Sequence, residues 1–249
     1  MRIAVLADIH GNLRALEAVL ADLPRRGADL AVNLGDCLSG PLQPAAVADR
    51  LMALGLPTVR GNHDRQLLDG PVADMGFSDA FAAARLTAAQ RDWLATLPPV
   101  LTPAEGVLAC HGTPADDLTY ALEVVAAPQL LRPATAAEAA ARIGPTPGAG
   151  LVLCAHSHLA RMVRLPDGRV AVNPGSIGQP GYTDILPYPH VVCAGTPHAR
   201  YAVVERGAAG WSVEFLAIPY DWDAAAAEAL AAGRADWAEA LATGQLGPA

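Results

Sequence analysis

The chain has 249 residues, 52% of them hydrophobic and only 17% charged, with a mean hydropathy of +0.26. This excludes a disordered tail, and no apolar run approaches the ~18 residues that a membrane span requires. Its 17 basic residues are all arginine, set against 25 acidic ones for a net charge of −8. Schiff-base and P-loop lysine chemistry are thereby excluded, and sequence-independent binding to a nucleic-acid polymer is disfavoured.

The apolar run at 2–7 reads as a strand buried on both faces. Asp8 and His10 interrupt it too early for a secretory leader, and no small-residue cleavage site follows, so a cytoplasmic location is expected. Leu13, Leu16, Val19, Leu20 and Leu23 then recur at helical spacing until Pro24. A second unit repeats the plan, with a strand at 30–34, a loop at 35–44 and a helix to about 54; residues 57–60 read as a third strand closed by Gly61. This alternation predicts that the first third is α/β with a parallel sheet. An insert at 77–97 reads as two short helices, the second capped by Thr87. Strands at 107–110 and 151–154 bracket an Ala-rich helical stretch at 128–143. The last third holds β runs at 162–165, 170–172, 201–205 and 213–218, with Pro166-Asp167-Gly168 and Arg206-Gly207 as hairpin turns. Two Ala-rich helices, within 223–241, read as packing elements. No linker or repeat is evident, so a single domain over 1–249 is expected.

Five of the seven histidines stand in loops directly after apolar runs. In order, the chain presents Asp8-Ile9-His10, Gly35-Asp36, Gly61-Asn62-His63-Asp64, His111-Gly112 and His156-Ser157-His158. Functional residues of open α/β sheets gather at the carboxyl ends of the strands, so these blocks are expected along one sheet edge. Carboxylate, amide and imidazole together suit borderline divalent ions such as Mn, Fe, Zn or Ni. The set is too large for one half-open ion site and sufficient for two ions sharing a bridging carboxylate. Cys37, Cys110 and Cys154 adjoin the blocks but read as small buried hydrophobes, and His190 and His198, outside them, as ordinary solvated or hydrogen-bonded histidines.

These ordered blocks, spread over residues 2–178, resemble those of the calcineurin-like metallophosphoesterases. The Asp8-to-Asn12 opening and the Asn173-to-Gly178 loop are similar to the small bacterial phosphodiesterase branch. The resemblance implies a four-layer α/β/β/α sandwich. It assigns Asp8, His10 and His158 to a first metal, Asn62, His111 and His156 to a second, and Asp36 as the bridge. His63 would protonate the leaving oxygen, and Asn62 would also contact substrate. Asn12 would either bind a phosphate oxygen or cap the following helix. Two divalent ions are implied, Mn2+ first, with Fe, Zn, Ni or Mg as alternatives. Such a pair lowers the pKa of a bridging water and takes up charge from phosphoryl oxygens.

The expected activity is hydrolysis of a small phosphodiester by metal-bridged hydroxide. Alternatives are a dinucleoside polyphosphate hydrolase, a phosphomonoesterase, or a non-catalytic metal-bound scaffold; the intact His63 and ligand set speak against the last. Two departures from the pattern stand out. Ala155 replaces the usual glycine before His156, which matters if that backbone needs positive φ. Cys37-Leu38 follows Asp36 where protein phosphatases carry Asp-Arg, leaving no arginine clamp there and making Asp64 the candidate partner of His63. Arg161 reads as a solvated strand-edge residue or a substrate contact, and the 173–178 loop as a border of the metal site.

Overall fold

Alternation along the first strand sets up the layers. Ile3 and Val5 point into one interior, Ala4 and Leu6 into another, and all four are fully buried. The computed structural model describes residues 1–247. The first half carries strands β1 (Arg2–Leu6), β2 (Leu30–Asn33), β3 (Val100–Ala104), β4 (Val107–Cys110), β5 (Glu123–Ala127) and β6 (Leu130–Pro133). The second half adds β7 (Leu151–Leu153), β8 (Arg161–Arg164), β9 (Val170–Asn173), β10 (Gly181–Asp184), β11 (His190–Cys193), β12 (Ala199–Gly207) and β13 (Gly210–Ile218). Helices are α1 (Leu13–Asp22), α2 (Pro44–Leu54), α3 (Asn62–Gln66), α4 (Phe77–Ala83), α5 (Ala88–Thr96), α6 (Ala136–Ile143), α7 (Trp222–Ala231) and α8 (Ala235–Thr243).

One sheet has the order β13-β12-β1-β2 and the other β3-β4-β7-β9-β8. Ile3, Val5, Val32 and Val204 of the first meet Ala109, Leu151, Leu153 and Val172 of the second in a shared core. The outer face of the first sheet packs Leu6, Tyr201 and Val203 against Leu16 and Val19 of α1 and Val47 of α2. The outer face of the second packs Val152, Cys154 and Ala171 against Ala139 and Ile143 of α6. The fold is the α/β/β/α sandwich. Among the described residues, no helix is long and apolar enough to cross a membrane.

Helix starts follow local chemistry. Asn12 caps α1 by accepting from Ala15 N, and Thr87 with Gln90 forms the capping box of α5. The parallel pairing expected for the first third is present in β1–β2, and the expected antiparallel hairpins are β8–β9 and β12–β13; β4–β7–β9 is parallel as well, while β12 and β3 join antiparallel. Two sequence expectations need correction. Residues 57–60 contribute only an isolated bridge from Thr58 to Asn33, because Arg60 N bonds instead to Pro98 O. The stretch 128–143 is helical only over α6; its start belongs to the β5–β6 hairpin, which turns at Gln129 with φ 59.

A buried polar contact ties α1 to the sheet. Tyr201, fully buried, donates its hydroxyl to Asp22 Oδ2 at 2.6 Å, and Arg26 Nε donates to the same oxygen at 2.7 Å. The Arg26 guanidinium, against a weaker effect of burial, holds the Asp22 carboxyl below its ordinary value, and Tyr201 adds to this. Such a carboxyl contributes stability above its unfolded pKa, lost as pH falls through the folded one. Asp22→Asn is expected to cost about 1–2 kcal/mol at neutral pH, with the gap to wild type closing below about pH 4 in urea denaturation series.

Candidate metal centre

The loops that leave the strand ends turn sharply. Asp8 and His10 follow β1, Asp36 follows β2, His111 follows β4, and His156 and His158 follow β7. Five of these have left-handed backbone, with φ of 54, 49, 53, 70 and 57 at Asp8, His10, Asp36, His156 and His158. Asp and His tolerate this region better than most side chains. In the fifth block the left-handed residues are His156 and His158 and not Ala155, so alanine before His156 carries no such strain.

The turns bring the predicted residues together. Ligand atoms of Asp8, His10 and His158 lie within 4.8 Å of one another, as do those of Asp36, His111 and His156. Asn62 Oδ1 joins the second group at 3.0 Å from His111 Nε2. Asp36 Oδ2 lies 3.2 Å from His111 Nε2 and 3.8 Å from His10 Nε2, between the two groups. All are buried.

Hydrogen bonds fix which imidazole atom faces inward. Nδ1 of His10 donates to Ser39 O, Nδ1 of His158 to Gln179 O and Nδ1 of His111 to Leu34 O, at 2.7–2.8 Å. His156 donates through Nε2 to Leu118 O at 3.0 Å, leaving its Nδ1 free. The Nε2 atoms of His10 and His158, both acceptors in this arrangement, face each other at 3.2 Å. Asp8 is fully buried, and neither of its carboxylate oxygens has a hydrogen-bond partner. Converging lone pairs and an orphaned buried carboxylate are costly without positive charge, so the donor set fits divalent cations.

The charges respond to this setting. Burial raises the Asp8 carboxyl well above its ordinary value. At Asp36 burial acts the same way, but the charges of His111 and His63 prevail and hold the carboxyl well below. Burial lowers His10 to about 4 and His156 to about 3, and pulls His158 well below the usual range, so their free nitrogens stay available as ligands. Burial works against His111 as well, yet Asp36 lifts it to about 10.

His63 stands apart. Its backbone N–H donates to Asp36 Oδ1, while its side chain, 33% exposed, opens into a cavity of about 400 Å3 lined also by His10, Asp36, His158 and Trp237. Its Nδ1 donates to Asp79 Oδ1 at 2.9 Å. Burial disfavours the charged ring, but Asp36 and Asp79 outweigh it and raise His63 to about 9. Asp79, on α4, is the hydrogen-bond partner of His63 that sequence reasoning missed; only its position in a helical insert hinted at it. Asp64 is not that partner. Its Oδ2 accepts from Asp36 N and Gly61 N, and its Oδ1 from Cys37 N, at 2.9–3.0 Å.

The other candidates fall as follows. Asn12 caps α1, and its Nδ2 donates to Gly178 O and Tyr220 Oη, so both ends of the side chain are engaged within the protein. The 173–178 loop borders the centre: Ser176 Oγ and Gly178 N both donate to Asp8 O. A Cβ at Gly178 would stand 1.7 Å from Ile9 O, which requires glycine there. Arg161 faces Glu123 at 3.8 Å. Cys37, Cys110 and Cys154 are buried, with burial raising their thiols. His190 is fully buried and hydrogen-bonded to Tyr120 Oη, and His198 lies beside Trp222.

The chain matches known proteins in family and fold. The profile of the calcineurin-like phosphoesterase superfamily domain matches residues 1–192, and the chain belongs to that superfamily. A metallophosphoesterase from Sphaerobacter thermophilus superposes with a TM-score of 0.73 at 26% identity, over 98% of this chain and 99% of that one. The hypothetical protein PH1004 from Pyrococcus horikoshii OT3 gives the same TM-score of 0.73 at 19% identity over 99% of each chain, a likeness of fold. The uncharacterized protein MJ0912 of Methanocaldococcus jannaschii is 41% identical over 66 residues, a stretch spanning 26% of this chain and 27% of that one. Family and fold together support phosphoesterase chemistry with divalent metals.

Because Asp64 serves three buried backbone donors at once, its removal strands all of them. Asp64→Ala is expected to lower the unfolding free energy by about 3 kcal/mol or more. Asp64→Asn, which keeps one good acceptor, should fall between wild type and alanine in the same denaturation experiment.

Proposed function

We propose that the protein hydrolyses a small phosphodiester using two divalent ions, Mn2+ foremost, with Asp36 between them. Asp8, His10 and His158 would hold one ion and Asn62, His111 and His156 the other. The observation that carries this reading is the fully buried Asp8 carboxylate without a hydrogen-bond partner, beside two imidazole lone pairs that face each other. When bound, such ions neutralise charge on phosphoryl oxygens and activate water for attack.

The chain's own residues supply orientation and the proton. Asp79 holds the His63 ring through Nδ1 and favours its protonated form. The other nitrogen, Nε2, is then free to protonate a leaving alkoxide. A diester is favoured over a monoester by the charges around the cavity. Its lining carries Asp36, Asp184 and Asp236, and the one arginine among the lining residues, Arg234, is engaged by Asp236 at 2.8 and 2.5 Å. No guanidinium follows Asp36 to clamp a dianion in bidentate fashion.

Native mass spectrometry at saturating Mn2+ is expected to find two ions per chain. Asp36→Asn should weaken both sites and His158→Ala mainly one; a single ion in the wild type would overturn the dinuclear reading. In turnover, kcat/KM for a diester should exceed that for the matched monoester, and parity would remove the charge argument.

General acid catalysis contributes ~10²–10⁴-fold, and only for leaving groups basic enough to need a proton. His63→Asn should therefore slow a nucleotide-type ester far more than a nitrophenyl ester, with metal content unchanged. Asp79→Asn should reproduce part of that selectivity. Uniform loss across leaving groups together with loss of an ion would instead make His63 a ligand.

A further inference from the structure

The strained turns of the centre are pinned at their carbonyls. Asp8 O accepts from Gly178 N and Asp36 O from His10 N, both backbone amides of neighbouring loops. The carbonyl of His156, where φ is 70, is served differently. Among the described residues no backbone amide donates to it, and the hydroxyl of Tyr182 does so at 3.1 Å. Tyr182 stands on β10, outside both main sheets, and lines the cavity into which His63 opens. Its ring meets the other histidine of the same block: the centroids of Tyr182 and His158 lie 4.7 Å apart, edge to face at 61°. One side chain therefore touches His156 through its oxygen and His158 through its ring, and these two belong to different ions in the reading above.

The hydrogen on that hydroxyl is contested. Nδ1 of the fully buried His190 lies 2.8 Å from Tyr188 O, and since a carbonyl only accepts, Nδ1 carries a hydrogen. In the neutral ring Nε2 is then an acceptor, and the Tyr120 hydroxyl, 3.0 Å away, donates to it. Tyr120 has no second hydrogen to give to Tyr182, whose Oη lies 2.6 Å from its own. The single hydrogen of Tyr182 faces two acceptors, Tyr120 Oη and His156 O. Packing alone would be served as well by phenylalanine. A hydroxyl set between a ligand's carbonyl and a tyrosine that a buried histidine fixes in turn is an aimed donor.

We propose that Tyr182 is a positioning residue for both ions: its hydroxyl holds the backbone of His156 for the second, its ring holds His158 for the first, and Tyr120 competes with His156 O for its hydrogen. The inference rests on the two-ion reading and adds a residue that serves both sites at once. Groups that orient metal ligands typically cost about 10–100-fold in metal affinity when they are lost. A neutral hydrogen bond to a ligand's backbone belongs at the lower end of that range, because it steadies the turn and leaves the ring's own bond from His156 Nε2 to Leu118 O in place.

The test titrates Mn2+ into the full chain and reads the two stepwise dissociation constants by native mass spectrometry. Asn62→Ala, which takes a ligand from the second ion, identifies the step that belongs to it. Tyr182→Phe keeps the ring and removes the donor, and is expected to weaken the second ion by about tenfold while leaving the first unchanged. Tyr182→Ala removes the ring as well and should weaken both; Tyr182→Phe, which preserves the packing, carries the test if the alanine variant fails to fold. Tyr120→Phe removes the competing acceptor, so the second ion should bind at least as tightly as in wild type. The donor lost to His190 Nε2 then shows in urea denaturation and not in metal affinity. That opposite response separates an aimed hydrogen bond from a packed cluster, in which either phenylalanine would loosen the site. A second ion unchanged in Tyr182→Phe, or weakened equally by Tyr182→Phe and Tyr120→Phe, overturns the brace and leaves the two-ion reading standing. A wild-type chain that holds a single ion removes the two-ion reading, and the proposal with it.

Discussion

The centre depends on backbone held in a conformation that L-residues resist. Asp8, His10, Asp36, His156 and His158 all have φ between 49 and 70, each at a cost on the order of 1 kcal/mol or more. The turns swing these side chains back across the strand ends, where extended chain would carry them past. Neighbouring loops lock them there. Asp8 N donates to Gly35 O and His10 N to Asp36 O, so the first turn is hydrogen-bonded onto the second. The second is held in turn by Asp64, whose carboxylate takes the amides of Asp36 and Cys37 and ties both to Gly61. Closeness there leaves no room for a side chain: a Cβ at Gly61 would sit 2.1 Å from Asp36 Oδ1. Each strained turn is thus one another's support, and the strand ends act as a unit.

The same interlocking explains what could be read from the sequence. The residues that carry lone pairs were legible because the chemistry demands Asp, Asn and His, and because every block but that of Asn62 follows an apolar strand. The groups that aim them were not. His10, His111 and His158 are oriented by the carbonyls of Ser39, Leu34 and Gln179, and a backbone carbonyl leaves no mark in the choice of side chain. The partner of His63 was hidden for another reason. Asp64, its chain neighbour, is consumed by three amides, whereas Asp79 arrives from a helix 16 positions downstream. Nothing in local spacing separates a carboxylate that faces a ring from one that faces backbone.

In the fold, the two main sheets were largely legible from buried β runs, and the α/β/β/α order followed from the resemblance. The β5–β6 hairpin was not, because its turn is made at Gln129 with φ 59 rather than at glycine or asparagine. Without that punctuation, the adjoining alanines read as helix. The short β10–β11 pair was equally obscure. Its exchange of bonds between Gly181–Asp184 and His190–Cys193 rests on tertiary position more than on alternation. Those two hairpins contribute Val125 and Asp184 to the wall of a cavity of about 420 Å3 that His156 also lines. Pocket shape is therefore written in the least legible segments, while pocket chemistry is written in the most legible ones.

The segment beyond residue 192, outside the family match, is more than packing. Trp237 of α8 lies edge-on to His10, with ring centroids 6.0 Å apart, and a Cβ at Gly40 would stand 3.0 Å from its ring. Arg234, just before α8, donates to Ser78 Oγ at 2.9 Å and lies 5.3 Å from the Phe77 ring. Ser78 and Phe77 open α4, the helix that carries Asp79. The strand-end groups and the His63–Asp79 pair thus rest on different supports. Asp8, His10, Asp36, His111, His156 and His158 are fixed by hydrogen bonds among the loops of the two sheets. The carboxylate that steadies His63 hangs on a short helix whose first turn is fastened by the C-terminal segment. Loosening that fastening would act on the His63–Asp79 pair first, because none of the bonds that hold the strained turns passes through Ser78 or Phe77.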